Sequence, residues 1–120
     1  MTASCMLGLA LEGGEVVESG SLGGGPEVSA ACIHLGVRRA RPDLRAVFHL
    51  HPPYSTALAC TREPRVLQIH QNSTKFRAER LALYSDYGFA DAMEEGVNIG
   101  NKLEKGKDIM LMANHGKRVE

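Results

Sequence analysis

A single layered α/β domain with a mixed or antiparallel sheet is the fold class that this sequence predicts. Three observations carry it. Short apolar runs of strand length alternate with segments of helical periodicity. The chain opens on a hairpin pattern, and its short connections do not demand parallel crossovers. At 120 residues it has the size of one domain and no more.

The elements follow in order. Leu7-Gly8-Leu9-Ala10-Leu11 alternates leucines onto one face. Glu12-Gly13-Gly14-Glu15 supplies a turn, and Val16-Val17 begins a returning strand. Ser19 to Pro26 is a loop with three consecutive glycines. No Gly-Lys-Ser/Thr follows it, so a flexible connector is preferred to a phosphate cradle. Pro26 suits the first turn of a helix and Glu27 its positive end. Val28, Ala31, Cys32 and Leu35 recur at helical spacing, and the helix should run to about Ala40, where Pro42 stops it. His34 on this helix reads as a surface or core-edge side chain. Arg38, Arg39, Arg41 and Arg45 cluster near the helix end, where positive charge suits the dipole and a solvated face is expected.

A strand is predicted from Leu44 to His51, then a helix opened by Pro52-Pro53 and covering Ser55 to Cys60. Val66 to Ile69 and Leu81 to Tyr84 read as further strands, with the polar stretch between them unassigned. Asp91, three residues before Glu94, resembles a helix-opening capping pair. Ala92, Met93, Val97 and Leu103 give that helix its apolar contacts, and Gly106 ends it. Ile109 to Met112 is a continuous apolar run, the pattern of a fully buried strand.

Composition narrows the function classes. Lys plus Arg and Asp plus Glu are 14 each, so the formal net charge is zero and nothing argues for a nucleic-acid or membrane partner. The three cysteines are widely spaced and form no Cys-x-x-Cys pair, which points to a reducing, cytoplasmic setting rather than a disulfide framework or zinc ribbon. No signal peptide or membrane span is legible at the N-terminus.

Chemistry concentrates in the histidines. In Ala46-Val47-Phe48-His49-Leu50-His51 the period of two places His49 and His51 on one face of the strand. Ala46, Phe48 and Leu50 then point the other way, into a core. His115 sits where the Ile109 run meets a glycine turn, at Asn114-His115-Gly116. Two strands that each deliver histidine at one end can converge on a single ion, with satisfied structural histidines as the alternative.

Taken together, Arg41-Pro42-Asp43, the stretch from Ala46 to Pro52 and Asn114-His115-Gly116 resemble the class II aldolase/adducin family. The match looks closest to a bacterial adducin-like subgroup. That subgroup carries the segment seen here as His70-Gln71-Asn72-Ser73, then Phe76, Tyr84, Tyr87-Gly88 and Glu95-Gly96. The resemblance runs from about Leu7 to Gly116. It implies a three-layer α/β/α domain around a mixed, mostly antiparallel central sheet, usually in a homo-tetramer. It implies a divalent metal, commonly zinc, held by His49, His51 and His115. It also implies a small sugar phosphate or hydroxy acid as substrate, handled by lyase-type chemistry. Tyr54, Gln71 and Asn72 are candidates for lining the pocket, with a structural hydrogen-bonding role as the alternative for each.

Two departures matter. The slot for the family's proton-transferring glutamate, about nineteen residues before the first ligand, is Ala30 here. Glu27, about one helical turn earlier, is the nearest catalytic candidate, against a plain helix-capping role. Ser29 falls in a phosphate-binding slot of the family's aldolases, but the remaining phosphate contacts would lie upstream of Met1. The chain therefore reads as a partial family domain over residues 1–120, truncated at both ends. Beside the enzyme reading stands a non-catalytic, adducin-like assembly or interaction module.

Overall fold

The computed structural model describes residues 3–85 and 93–113. Strands β1 (Gly8–Leu9) and β2 (Val16–Glu18) form the expected antiparallel hairpin. Helix α1 spans Val28–Ala40 and α2 spans Pro53–Ala59. Two short 3-10 turns, Gln71–Lys75 and Ala78–Arg80, fill the polar stretch before β3 (Leu81–Tyr84). Helix α3 (Met93–Lys102) and β4 (Ile109–Met112) follow. Asp91, proposed as the cap of α3, lies outside the described residues. Among the described residues no helix is long and apolar enough to cross a membrane.

The helix boundaries obey local chemistry. Glu27 is the N-cap of α1, so the helix begins two residues after Pro26, and Arg41 is the C-cap just before Pro42. Pro53 occupies the first turn of α2, where its missing N–H costs nothing.

The core forms where α1 and α3 cross. Ile33 and Val37 of α1 meet Ile99 of α3, nearby Leu103, and Ala82 and Tyr84 of β3. The two helices approach closely because glycines face each other. A Cβ on Gly36 would strike the Gly96 carbonyl, and one on Gly96 the Cys32 carbonyl. Leu44, Val47, Met110 and Met112 pack against the rim of this cluster.

Several expectations need correction. Residues 44–51 form no strand ladder among the described residues, and neither do 66–69. The side-chain polarity of the first segment is inverted. Val47 packs on the core, whereas Phe48 and Leu50 are 82% and 69% exposed, because no described layer covers their face. Strand β4 is half-buried along its whole length rather than fully buried. β3 and β4 pair in parallel, Leu81 opposite Ile109 through Tyr84 opposite Met112, with α3 as the crossover. The described residues thus build two two-stranded sheets, one antiparallel and one parallel, and not a three-layer sandwich about one central sheet.

The arginines at the end of α1 also depart from a solvated face. Arg39 donates to the carbonyls of Leu11 and Glu12, tying the hairpin to the helix. Arg41 is 8% exposed. Only a guanidinium that finds acceptors can be buried at such a position.

Candidate metal centre

His49 and His51 project to the same side, as the period of two requires. Their rings meet edge to face with centroids 4.7 Å apart, and the two Nε2 atoms stand 2.9 Å from each other. Without an ion one ring donates this hydrogen bond and the other accepts it. Two nitrogens bound to one tetrahedral ion lie about 3.3 Å apart. The separation is therefore near that of two nitrogens on one ion, and ring rotation that breaks this hydrogen bond would be needed to turn both lone pairs toward a cation. Nitrogen donors of this kind suit a divalent transition metal.

The pair lies in a cleft of about 80 Å³. Its walls are Ser55, Thr56, Ala59 and Cys60 of α2 with its C-cap, and Met110, Leu111 and Met112 of β4. The double proline turns the chain directly from His51 into α2, so the helix closes back over the imidazoles. The last strand thus runs along the same cleft. His115 itself lies outside the described residues. Among the described residues no group of three or more His, Cys, Asp or Glu side chains gathers as a metal cage.

Glu27 is placed by its capping role. Its carboxylate accepts from the amides of Ala30 (2.7 Å) and Ser29 (3.2 Å) and from the Ser29 hydroxyl (2.7 Å). Its pKa is held below the usual carboxylate range by the Ala30 amide first, then by the Ser29 hydroxyl and amide, with the charge of His49 adding last. The carboxylate stays ionised and well hydrogen-bonded, which suits a helix cap better than a base that must take up a proton near neutrality.

Tyr54 is 92% exposed on the first turn of α2. Gln71 and Asn72 are exposed on the first 3-10 turn, where the Asn72 amide donates to His70 Nδ1. None of these three is among the residues that wall the cleft. Ser55, Thr56 and Cys60 are, and periodicity alone would have found them. Positions 55, 56, 59 and 60 share one helical face, the one following His51.

Comparison with known proteins agrees with this architecture. Residues 1–119 match the model of the family described as Class II Aldolase and Adducin N-terminal domain. The chain is 30% identical over 103 residues to human beta-adducin, covering 86% of this chain and 14% of that protein. It is 32% identical over 90 residues to the 4-hydroxy-3-prenylphenylpyruvate oxygenase/4-hydroxy-3-prenylbenzoate synthase of Streptomyces roseochromogenus subsp. oscitans, covering 74% of this chain and 31% of that one. The crystal structure of an aldolase II superfamily protein from Pseudomonas syringae superposes with a TM-score of 0.82 at 29% identity. That match covers 97% of this chain and 45% of the other. The chain thus spans less than a third of these curated relatives and under half of the solved one.

Proposed function

The chain belongs to the class II aldolase and adducin family, and on that premise we propose a metal-dependent, lyase-like protein acting on a small sugar phosphate or hydroxy acid. The observation that carries this reading is the convergence of two Nε2 atoms, 2.9 Å apart, in a cleft walled by β4. His49 and His51 supply two ligands, and His115 supplies the third from the segment beyond β4. Zinc is the proposed ion, because three neutral imidazoles suit a borderline cation and leave a position open for substrate. When bound, it supplies Lewis-acid polarisation of a substrate oxygen.

The chain's own residues divide the remaining work. The Ser55 hydroxyl donates to the Pro52 carbonyl at 3.1 Å, so its lone pairs are left to receive a substrate hydroxyl in the cleft. Tyr54, Gln71 and Asn72 would contact a substrate from the rim. Glu27, whose charge is coupled to His49, is the candidate for proton transfer and would have to leave its cap to serve. The similarity to a named decarboxylase, NovR of Streptomyces niveus, 30% identical over 89 residues, supports a carboxylate-bearing substrate. The wide spacing of Cys5, Cys32 and Cys60, with no Cys-x-x-Cys pair, supports a reducing, cytoplasmic setting, and a homo-oligomer, a tetramer as the family implies, is the proposed assembly.

A second reading, an adducin-like interaction module without catalysis, is favoured by the beta-adducin match and by the exposure of Phe48, Leu50 and Tyr54. Metal content separates the two. After reconstitution with zinc, the purified protein should hold one equivalent, and His115→Ala should lose it. Failure of the unaltered protein to retain stoichiometric metal would remove the enzyme reading and leave the module.

A further inference from the structure

Three arginines stand at the end of α1, and two of them are satisfied. Arg39 donates to the carbonyls of Leu11 and Glu12. Arg41 forms a bidentate pair with the Asp43 carboxylate, Nε and Nη2 each at 2.8 Å. Its Nη1 donates to the carbonyls of Leu103, Glu104 and Lys107. Arg38 differs from both. Its Nη1 is shut off from solvent yet meets no acceptor among the described residues. No described carboxylate forms an ion pair with it. A shielded donor without a partner is costly, the more so on a charged group.

Arg38 lines a cavity of about 490 Å³ between the hairpin and α1, a size within the range of small-molecule sites. One wall is Leu7, Leu9 and Leu11, which strand alternation puts on one face. The other is the stripe of α1 that carries Ala31, His34 and Arg38. Ile33 and Val37 face away from it, into the core. Arg39, by holding Leu11 and Glu12, keeps the hairpin against the helix at the Arg38 end. Glu27 lies at the opposite end, eleven residues earlier and about 16 Å along the helix axis. The cavity shares no lining residue with the cleft at His49 and His51.

We propose that this cavity binds a small apolar monocarboxylate, its tail along the leucine wall and its carboxylate on Arg38 and His34. The half-buried Arg38 side chain turns its guanidinium to the incoming oxygens, which gives Nη1 the acceptor it lacks. His34, one helical turn before Arg38 and also half-buried, offers a ring N–H to the same head group. One guanidinium and one carboxylate line the cavity, so a single negative charge suits it better than a phosphate dianion. The distance from Glu27 sets the direction in which the acid lies. This site is independent of the metal reading.

Octanoate is the probe, titrated calorimetrically at neutral pH into wild type, Arg38→Met, Ala31→Leu and Arg45→Met, with 1-octanol as the uncharged ligand. Circular dichroism establishes that each variant is folded. Wild type should bind octanoate at one saturable site, and about 10-fold or more tighter than 1-octanol, the scale of a charge-assisted hydrogen bond. Arg38→Met keeps the apolar stem and should lose that preference, binding the two ligands alike. Ala31→Leu fills the helix wall and should weaken both. Arg45→Met removes an exposed arginine away from the cavity and should bind as wild type does. Absence of saturable octanoate binding by the wild type would overturn the proposal, as would wild-type affinity in Arg38→Met or in Ala31→Leu. An equal loss in Arg45→Met would reduce the effect to non-specific charge and overturn it too. If Arg38→Met fails to fold, equal affinity of the wild type for octanoate and 1-octanol would overturn it.

Discussion

Asp43 shows how one contact sets the acid behaviour of this protein. Its carboxyl is pulled down to about 2, first by the hydrogen bond from Arg41. A depressed folded-state pKa means that the unfolded chain takes up protons more readily. The pair therefore adds stability above the unfolded value of about 4, and that stability is lost as pH falls through about 2. Asp108, lowered chiefly by its hydrogen bond from Arg80, and Glu27, lowered chiefly by the Ala30 amide, act in the same direction. Urea unfolding of wild type should accordingly weaken across that window. Asp43→Asn should show a shallower decline, already being weaker at neutral pH. Identical pH profiles for the two would mean that the bidentate pair contributes nothing to folding. Glu27 is the other residue whose role geometry clarifies. A helix N-terminus was legible at Pro26-Glu27 from sequence, but the donors that occupy its carboxylate become visible only once Ser29 and Ala30 are placed.

At the scale of elements, the junction of α1 and α3 depends on the absence of side chains. Gly36, Gly96 and Gly100 let the backbones touch, each meeting a carbonyl of the opposite helix. Gly96→Ala raises helix propensity by about 1 kcal/mol yet forces the helices apart. Overpacking of this kind typically costs roughly 1–3 kcal/mol, and a backbone obstacle cannot rotate away. We expect a net loss of about 1 kcal/mol by denaturant titration; a stabilised variant would show that the helices do not pack this closely in solution. The helices, the hairpin and strands 81–84 and 109–112 were legible because their signals are local: apolar spacing, prolines at stops, glycines at turns. The segment around His49 was not. Its strand-like alternation is real enough to place both imidazoles on one side, but which side is covered depends on neighbours remote in sequence. Val47 finds the core and Phe48 does not. The parallel pairing of β3 with β4 was likewise hidden. Two short apolar runs carry no mark of direction, and α3 between them reads as any helix would.

On the scale of the whole molecule, the segment from His49 to Cys60 and strand β4, two distant stretches of chain, bring a cleft together. The candidate ligands were legible in sequence because His-x-His before Pro-Pro and His-Gly after an apolar run are local patterns. The walls of the cleft, and the partners of Arg41, follow from tertiary placement. Arg41 in particular resembled one more solvated charge in a basic helix end until its carbonyl partners, 62 to 66 residues away, were in view. The central claim is the proposal that His49, His51 and His115 hold one ion, and zinc K-edge absorption of the loaded protein tests it most directly. We predict three imidazole nitrogens at about 2.0–2.1 Å with a light-atom fourth ligand. A shell with fewer than three imidazoles, or one with sulfur at about 2.3 Å from Cys60 beside the cleft, would contradict it.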